Sequence, residues 1–524
     1  MEPVHWSEET RGLCPTCLRD VPATVFEDGG RIWIRQQCSR HGEHRALLAS
    51  DAGEYLRLRR YVPDRSGVNC CCGPGEVCGP NGSSGPPVCV LLLEITQACN
   101  LRCPTCYADA QGHDFMTTDE ARRRLDSFFQ VQPRLDVLML SGGEPTIHPH
   151  FAEILDLALS YPVGRVLVNT NGLRLGQSEA LVETLAAHKD RVELYFSFSS
   201  FRASGHEHFY GRDLRREKMV ALERVRDAGL FVTLVPTVER GVNDDEIGDL
   251  YRFALSLETV NGLTFQPVMD TGRYQHGYSA GDRMTLTGVL SELERQTDGA
   301  LVRSDFVGLP CSHPDCCALT YGFLDARRET ITPLPRHLDV SRYLDLFTDR
   351  ISFSGLVGGA ARRVWSDVAH LRGRQTLRDL GILFARGGLR DVLPLMRDPE
   401  AFGRRVFRVV VKPFMDAHTY DRKRIEQCCT KILAADGSAV SFCEFNVFGR
   451  GRKSREAVVP LRMATLSPAQ VPTLPSGRVP TLPSGRVPTL PSGRVPTLPS
   501  GRVPILSPAQ VPTLPSEGRV GERG

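Results

Sequence analysis

From residue 90 the chain alternates short apolar runs with amphipathic stretches of helical period. The apolar runs occupy 90–96, 135–140, 165–170, 192–198, 231–237 and 262–268, each of strand length. Between them, residues 118–130, 150–160, 178–188, 215–228 and 244–257 place apolar side chains at three- and four-residue spacing, which predicts helices. Six strands joined by helical crossovers predict an α/β domain over 90–275 with a parallel sheet, open or curled into a partial barrel. Such sheets bind ligands at the carboxyl ends of their strands, so the residues just after each strand carry the candidate chemistry.

The flanks have a different texture. Residues 1–62 hold Cys14-Pro-Thr-Cys17, an apolar strand pair (23–26 and 31–35) around the turn Asp28-Gly29-Gly30, and Cys38-Ser-Arg-His41. Two hairpins bearing ligand pairs are how small metal ribbons are built. Residues 63–89 are a Gly/Pro/Ser-rich stretch with Cys70, Cys71, Cys72, Cys78 and Cys89, suited to loop or ligand duty. After 275 come a loop with Cys311, Cys316 and Cys317, a stretch read as mainly helical over 340–414, and Cys428, Cys429 and Cys443, together a mixed helical, cluster-binding region over 276–454. In the tail from 455 onward an eight-residue unit, Val-Pro-Thr-Leu-Pro-Ser-Gly-Arg, repeats over 471–502. Proline at that density blocks helix and central strand alike, so the tail is expected to be disordered and non-catalytic.

Composition narrows the function classes. With 64 basic and 61 acidic residues, the chain advertises neither nucleic acid nor an anionic membrane as partner, which favours a small molecule. It has no long apolar run or basic leader, so the expectation is a soluble, cytoplasmic protein with no transmembrane segment. Seventeen cysteines in a large chain, many of them adjacent, suit metal thiolates better than disulfides. Cys14, Cys17, Cys38 and His41 would suit tetrahedral zinc or a rubredoxin-like iron. Auxiliary four-thiolate clusters can draw on Cys70, Cys71 or Cys72, with Cys72 the candidate among the three, together with Cys78 and Cys89, and on Cys311, Cys316, Cys428, Cys429 and Cys443. Buried free cysteines are the alternative.

The first strand runs directly into Cys99-Asn-Leu-Arg-Cys103-Pro-Thr-Cys106-Tyr107. Three thiolates in one loop can hold three irons of a cubane and leave the fourth open to chelate the amino and carboxylate groups of a methionine moiety. A structural zinc would want a fourth ligand nearby, and none is adjacent. The second strand ends in Gly142-Gly143-Glu144-Pro145, where two glycines let the backbone approach a ligand closely and Glu144 and the carbonyls offer acceptors to an ammonium group. Asn169 ends the third strand, Ser197 and Ser199 give the fourth a polar face suited to a ribose, and Val235 could support an adenine through its backbone.

The cysteine loop followed one strand later by Gly-Gly-Glu-Pro resembles the radical S-adenosylmethionine (radical SAM) superfamily. Segments 14–17, 38–41, 96–107, 235–243, 265–268, 310–316 and 442–446 extend the resemblance to the archaeal tetraether-lipid synthases and pterin-methylating radical enzymes. Many members carry an aromatic residue just before the third cysteine; here it follows, at Tyr107. The resemblance implies a partial (β/α)6 radical SAM barrel with a catalytic 4Fe-4S cluster at Cys99, Cys103 and Cys106, S-adenosylmethionine on the Gly-Gly-Glu-Pro stretch, auxiliary clusters and a mononuclear Fe or Zn. It further implies a 5'-deoxyadenosyl radical that abstracts hydrogen from a small-molecule, lipid or pterin-like substrate for methylation or carbon–carbon coupling, with a flavodoxin or ferredoxin as electron donor. The competing readings are a non-catalytic iron-sulfur or zinc protein serving redox sensing or scaffolding and, more remotely, a nucleic-acid module in the ribbon.

Overall fold

The computed structural model describes residues 6–61, 88–274, 276, 279–309, 312–325, 327–336 and 405–449. Cys72, Cys78, Cys311 and the repeat tail therefore lie outside the described residues.

The first element is an antiparallel meander of β1 (Ser7–Leu13), β2 (Asp20–Asp28), β3 (Arg31–Cys38) and β4 (Gly42–Ala49), longer than the strand pair expected from the sequence. Gly29 and Gly30, at φ +62° and +74°, supply the two left-handed residues that a tight hairpin turn requires. Helix α1 (Ala52–Arg59) follows, its first turn capped by the Asp51 carboxylate, which accepts from Glu54 N. The ribbon docks on later parts of the chain: Thr10 Oγ1 donates to Asp421, Gln36 Nε2 to Ala417 O and Tyr55 Oη to Asp315.

The barrel follows the expected alternation. Its elements are β5 (Val90–Thr96), α2 (Thr118–Val131), β6 (Leu135–Gly142), α3 (Phe151–Ser160), β7 (Val163–Thr170), α4 (Glu179–Ala186), β8 (Val192–Ser197), α5 (Ala203–Tyr210), α6 (Arg215–Asp227), β9 (Phe231–Val235), β10 (Thr237–Val238), α7 (Ile247–Ser256), β11 (Val260–Pro267) and α8 (Leu286–Gln296). β5, β6, β7, β8, β9 and β11 pair in that order, all parallel. Outward residues such as Leu91, Leu138, Val166, Leu194, Leu234 and Phe265 form one dry layer with the helices. Each buried Leu or Phe contributes roughly 1.5–3 kcal/mol, so this layer rather than the strand ladder carries most of the stability.

The sheet is wider than six strands. β12 (Val307–Gly308), β13 (Ala318–Leu324), β14 (Ile331–Pro333) and β15 (Val406–Val411) extend it beyond β11, while β16 (Thr430–Leu433) and β17 (Ala439–Ser441) extend it beyond β5. The two edges pack together: Cys89 and Cys429 from one side share an apolar cluster with Cys317, Leu319 and Val406 from the other. Lys412, just past β15, donates to Thr430 Oγ1 on β16 at 3.2 Å.

This corrects the helical reading of 340–414 over the part that is described. Residues 406–411 form a strand, with Phe407, Val409 and Val411 fully buried on the helix side and Arg408 facing the lumen. The Val-rich, period-two pattern was the available signal.

Candidate active site and metal centres

The cluster loop leaves β5 at the mouth of the barrel and is fastened from three sides. Thr96 Oγ1 accepts from Ala98 N, and Thr105 Oγ1 donates to Phe209 O at the end of α5. Arg273, beyond β11, donates to Cys103 O, Ala110 O and the Asp109 carboxylate, while its own N–H reaches Cys106 O. Sequence reading missed Arg273; no motif marks it. Burial raises the Cys99 thiol to about 11 and the Cys103 thiol to about 12, the neighbouring thiols adding to the Cys103 shift. Sulfurs that oppose each other's ionisation in a desolvated loop are suited to a cationic iron cluster that takes them as thiolates.

Gly142 and Gly143 also serve a purpose within the chain itself. A Cβ at Gly142, where φ is +122°, would stand 2.1 Å from Thr96 O, and one at Gly143 would stand 2.0 Å from Ala98 O. Their bare faces press on the backbone that launches the cluster loop, and Gly143 N and Glu144 N donate to those same two carbonyls. Glu144 is likewise turned inward. Its carboxylate accepts from Thr146 N and Oγ1, Thr170 Oγ1 and Asn171 N, at 2.6–3.2 Å, and burial raises its pKa against those bonds. It braces the end of β6 to the end of β7, and Pro145 starts the buried turn after it.

The remaining cofactor candidates divide. Asn169 and Ser197 are half-buried on the lumen face; Asn169 Nδ2 donates to Ser141 Oγ. Ser199 is buried, sharing a hydrogen bond with Tyr210 Oη and accepting from Thr237 N, and Val235 O accepts from Phe198 N. Tyr107 packs against Phe442, ring centres 5.3 Å apart. Lys218 was missed. Fully buried on α6, it donates to Asn171 O, Ser197 O and Ser197 Oγ and lies over the Tyr210 ring; burial pushes its pKa down to about 7. A lysine in register with Ala221, Leu222 and Val225 on an apolar helix face was the legible signal.

In the ribbon, the ligand atoms of Cys14, Cys17, Cys38 and His41 all lie within 4.8 Å of one another. His41 Nδ1 is 3.5 Å from Cys14 Sγ and 3.6 Å from Cys38 Sγ, and the Cys17 and Cys38 sulfurs are 4.0 Å apart. Tetrahedral zinc with its usual bond lengths needs edges of about 3.5–3.8 Å, so the four donors fit such an ion. Backbone N–H groups of Arg40 and His41 help hold the Cys38 thiol down at about 6, favouring thiolate at neutral pH. His44 Nε2, 3.7 Å from Cys14 Sγ, is a neighbour the spacing did not flag. Replacing Cys17 with serine is expected to release one equivalent of metal per chain and to lower the melting temperature by at least about 5 °C, read by metal analysis and thermal unfolding. Full metal retention would contradict the assignment.

Of the expected auxiliary ligands, Cys89, Cys429 and Cys443 are buried and Cys316 and Cys428 are half-buried; Cys317, not in the expected set, is buried with them. Cys89 N donates to Cys429 O, so Cys89 stands with the C-terminal thiols at the seam. Burial opposes the Lys412 charge, yet Cys317, Cys429, Cys316 and Cys428 together raise its pKa.

Among the described residues no helix is long and apolar enough to cross a membrane. Residues 93–254 match the radical SAM superfamily and residues 6–50 match the HMPTM N-terminal zinc ribbon domain. The chain is 27% identical to a 7,8-dihydro-6-hydroxymethylpterin dimethyltransferase of Methanocaldococcus jannaschii, over 87% of this chain and 96% of the relative. It is 34% identical to a probable GTP 3',8-cyclase of Pyrococcus abyssi, over 32% of this chain and 54% of the relative, so that match spans about half of the cyclase. A crystal structure of a radical SAM methyltransferase from Sphaerobacter thermophilus aligns over 54% of this chain and 76% of that one, with 15% identity and a TM-score of 0.30. The superfamily match begins inside β5 and runs through the cluster loop and the glycine turn to α7, so residues 93–254 form a radical SAM domain, and the enzyme that carries it is similar to a radical SAM pterin dimethyltransferase over most of its length.

Proposed function

We propose that this enzyme methylates a carbon of a pterin-type small molecule. The observation carrying the reading is similarity to a pterin dimethyltransferase along nearly the whole length of both chains, ribbon included. Cys99, Cys103 and Cys106 would hold a 4Fe-4S cluster, with the backbone around Gly142–Gly143 and the lumen faces of Asn169 and Ser197 receiving S-adenosylmethionine. When bound, that pair supplies one-electron cleavage of the cofactor to a 5'-deoxyadenosyl radical. The protein's own part is positional: Arg273 and the glycine turn fix the loop, Glu144 ties β6 to β7, and Lys218 holds the ends of β7 and β8 together. The seam thiols with Lys412 would suit an auxiliary cluster, and a flavodoxin or ferredoxin is the class of donor required.

The test is anaerobic reconstitution with iron and sulfide, followed by reductant, S-adenosylmethionine and 7,8-dihydro-6-hydroxymethylpterin. The expected result is 5'-deoxyadenosine together with a methylated pterin detected by mass. Cofactor cleavage with an unchanged pterin would remove the substrate assignment. Protein that takes up only zinc and shows no spectral response to the cofactor would favour the redox-sensing or scaffold reading.

A further inference from the structure

The lumen changes character along its length. Leu92, Met139 and Leu167, register partners across β5, β6 and β7, form a buried apolar floor. One pleat repeat nearer the mouth, Glu94 pairs with Ser141, and Asn169 pairs with Tyr195. Tyr195 points inward because its neighbours Leu194 and Phe196 face the helices, and Gln266 does so because Phe265 faces them. Both remain half-buried although their outward neighbours are fully buried. Mid-sheet side chains stay in reach of solvent only if the lumen above the floor is open.

Gln266 Nε2 donates to Tyr195 Oη at 2.8 Å. That bond fixes the amide plane and leaves its carbonyl oxygen to accept from a ligand N–H, beside a phenol that burial keeps protonated, its pKa raised to about 12. An acceptor and a hydroxyl side by side match a lactam edge, where N–H and C=O are adjacent. Glu94, on the same rung as Asn169 and Tyr195, adds a carboxylate able to accept from an exocyclic amino group. The aromatic faces of Tyr107 and Phe442 pack on the same inner cluster as the floor, which suits a flat ring.

We infer that Tyr195 and Gln266, with Glu94, form the substrate-binding edge of the barrel lumen and recognise the amino-lactam edge of a flat heterocycle, a pterin ring in this enzyme. The inference rests on the pterin reading above and deepens it. Guanine carries the same edge chemistry, so the experiment needs both rings.

Dissociation constants of 7,8-dihydro-6-hydroxymethylpterin and of guanosine are measured on the full-length reconstituted protein and on its variants. Iron content and melting temperature show that each variant is folded. Gln266→Leu is expected to weaken pterin binding at least about tenfold, and Tyr195→Phe about fivefold. Gln266→Glu keeps an acceptor oxygen but loses the N–H that holds Tyr195, so it is expected to bind the pterin more tightly than the leucine variant and less tightly than the parent, whereas loss of a merely structural bond predicts equal weakening in both variants. Equal binding by the parent and the leucine variant would overturn the site and leave the substrate reading standing. Failure of the parent to bind the pterin would overturn both, and preference for guanosine would overturn the choice of ring.

Discussion

Replacing Cys103 with alanine is expected to remove the share of iron and absorbance that the cluster of this loop contributes and to lower 5'-deoxyadenosine formation by at least about a thousandfold. Cys103 is the middle of the three thiols, and its carbonyl is one of the points where Arg273 grips the loop. With two thiolates left, a cubane has lost one of three anchors and its site selectivity. The ribbon and the seam are built from other cysteines, so the same variant is expected to keep its ribbon metal. Cofactor cleavage at parental rate in Cys103→Ala would show that the reducing centre lies elsewhere, with the seam thiols the next place to look.

Gly143→Ala is expected to destabilise the fold by at least about 3 kcal/mol, or to leave a protein that cannot load its cluster. The added methyl would meet Ala98 O at 2.0 Å and Ala98 C at 2.6 Å. Both are backbone atoms held by the hydrogen bonds that join the two strand ends, so no side chain can rotate away to make room. The ends of β5 and β6 must separate, and the cluster loop moves with them. Gly229→Asn is the control. Gly229 has φ +70° and an empty neighbourhood, a conformation asparagine tolerates, so a change within about 1 kcal/mol is expected. Equal melting temperatures for Gly143→Ala and the parent would mean that the strand ends are looser than their contacts indicate.

The barrel was legible because its information is local and periodic. The run Val90-Leu-Leu-Leu is buried on both faces and could be read without neighbours, as could the three- and four-residue spacing of α2 and α7. The cluster loop was legible for a related reason: three ligands of one ion cluster fall within eight residues, so spacing alone constrains their chemistry. The ribbon ligands come in two short pairs, each marked by its own spacing.

Other features rest on contacts between residues far apart in the chain, and no spacing encodes them. Arg273 reaches back more than 160 residues to Cys103, and Cys317 meets Cys429 only because the two sheet edges come together. Glu144 illustrates the limit most clearly. Its place at the end of the second strand was legible from the motif, yet the direction of its carboxylate depended on Thr170 and Asn171, supplied by the next strand.

What the sequence determined by itself is the order of strands and helices, the cluster loop, the glycine turn and the ribbon's four donors. Tertiary structure alone decided which buried groups face the lumen, which thiols share the seam and which polar side chains are consumed as braces. The physical reason is that hydrophobic period is a property of one segment, whereas the partner of a buried polar group is a property of whatever segment packs opposite it.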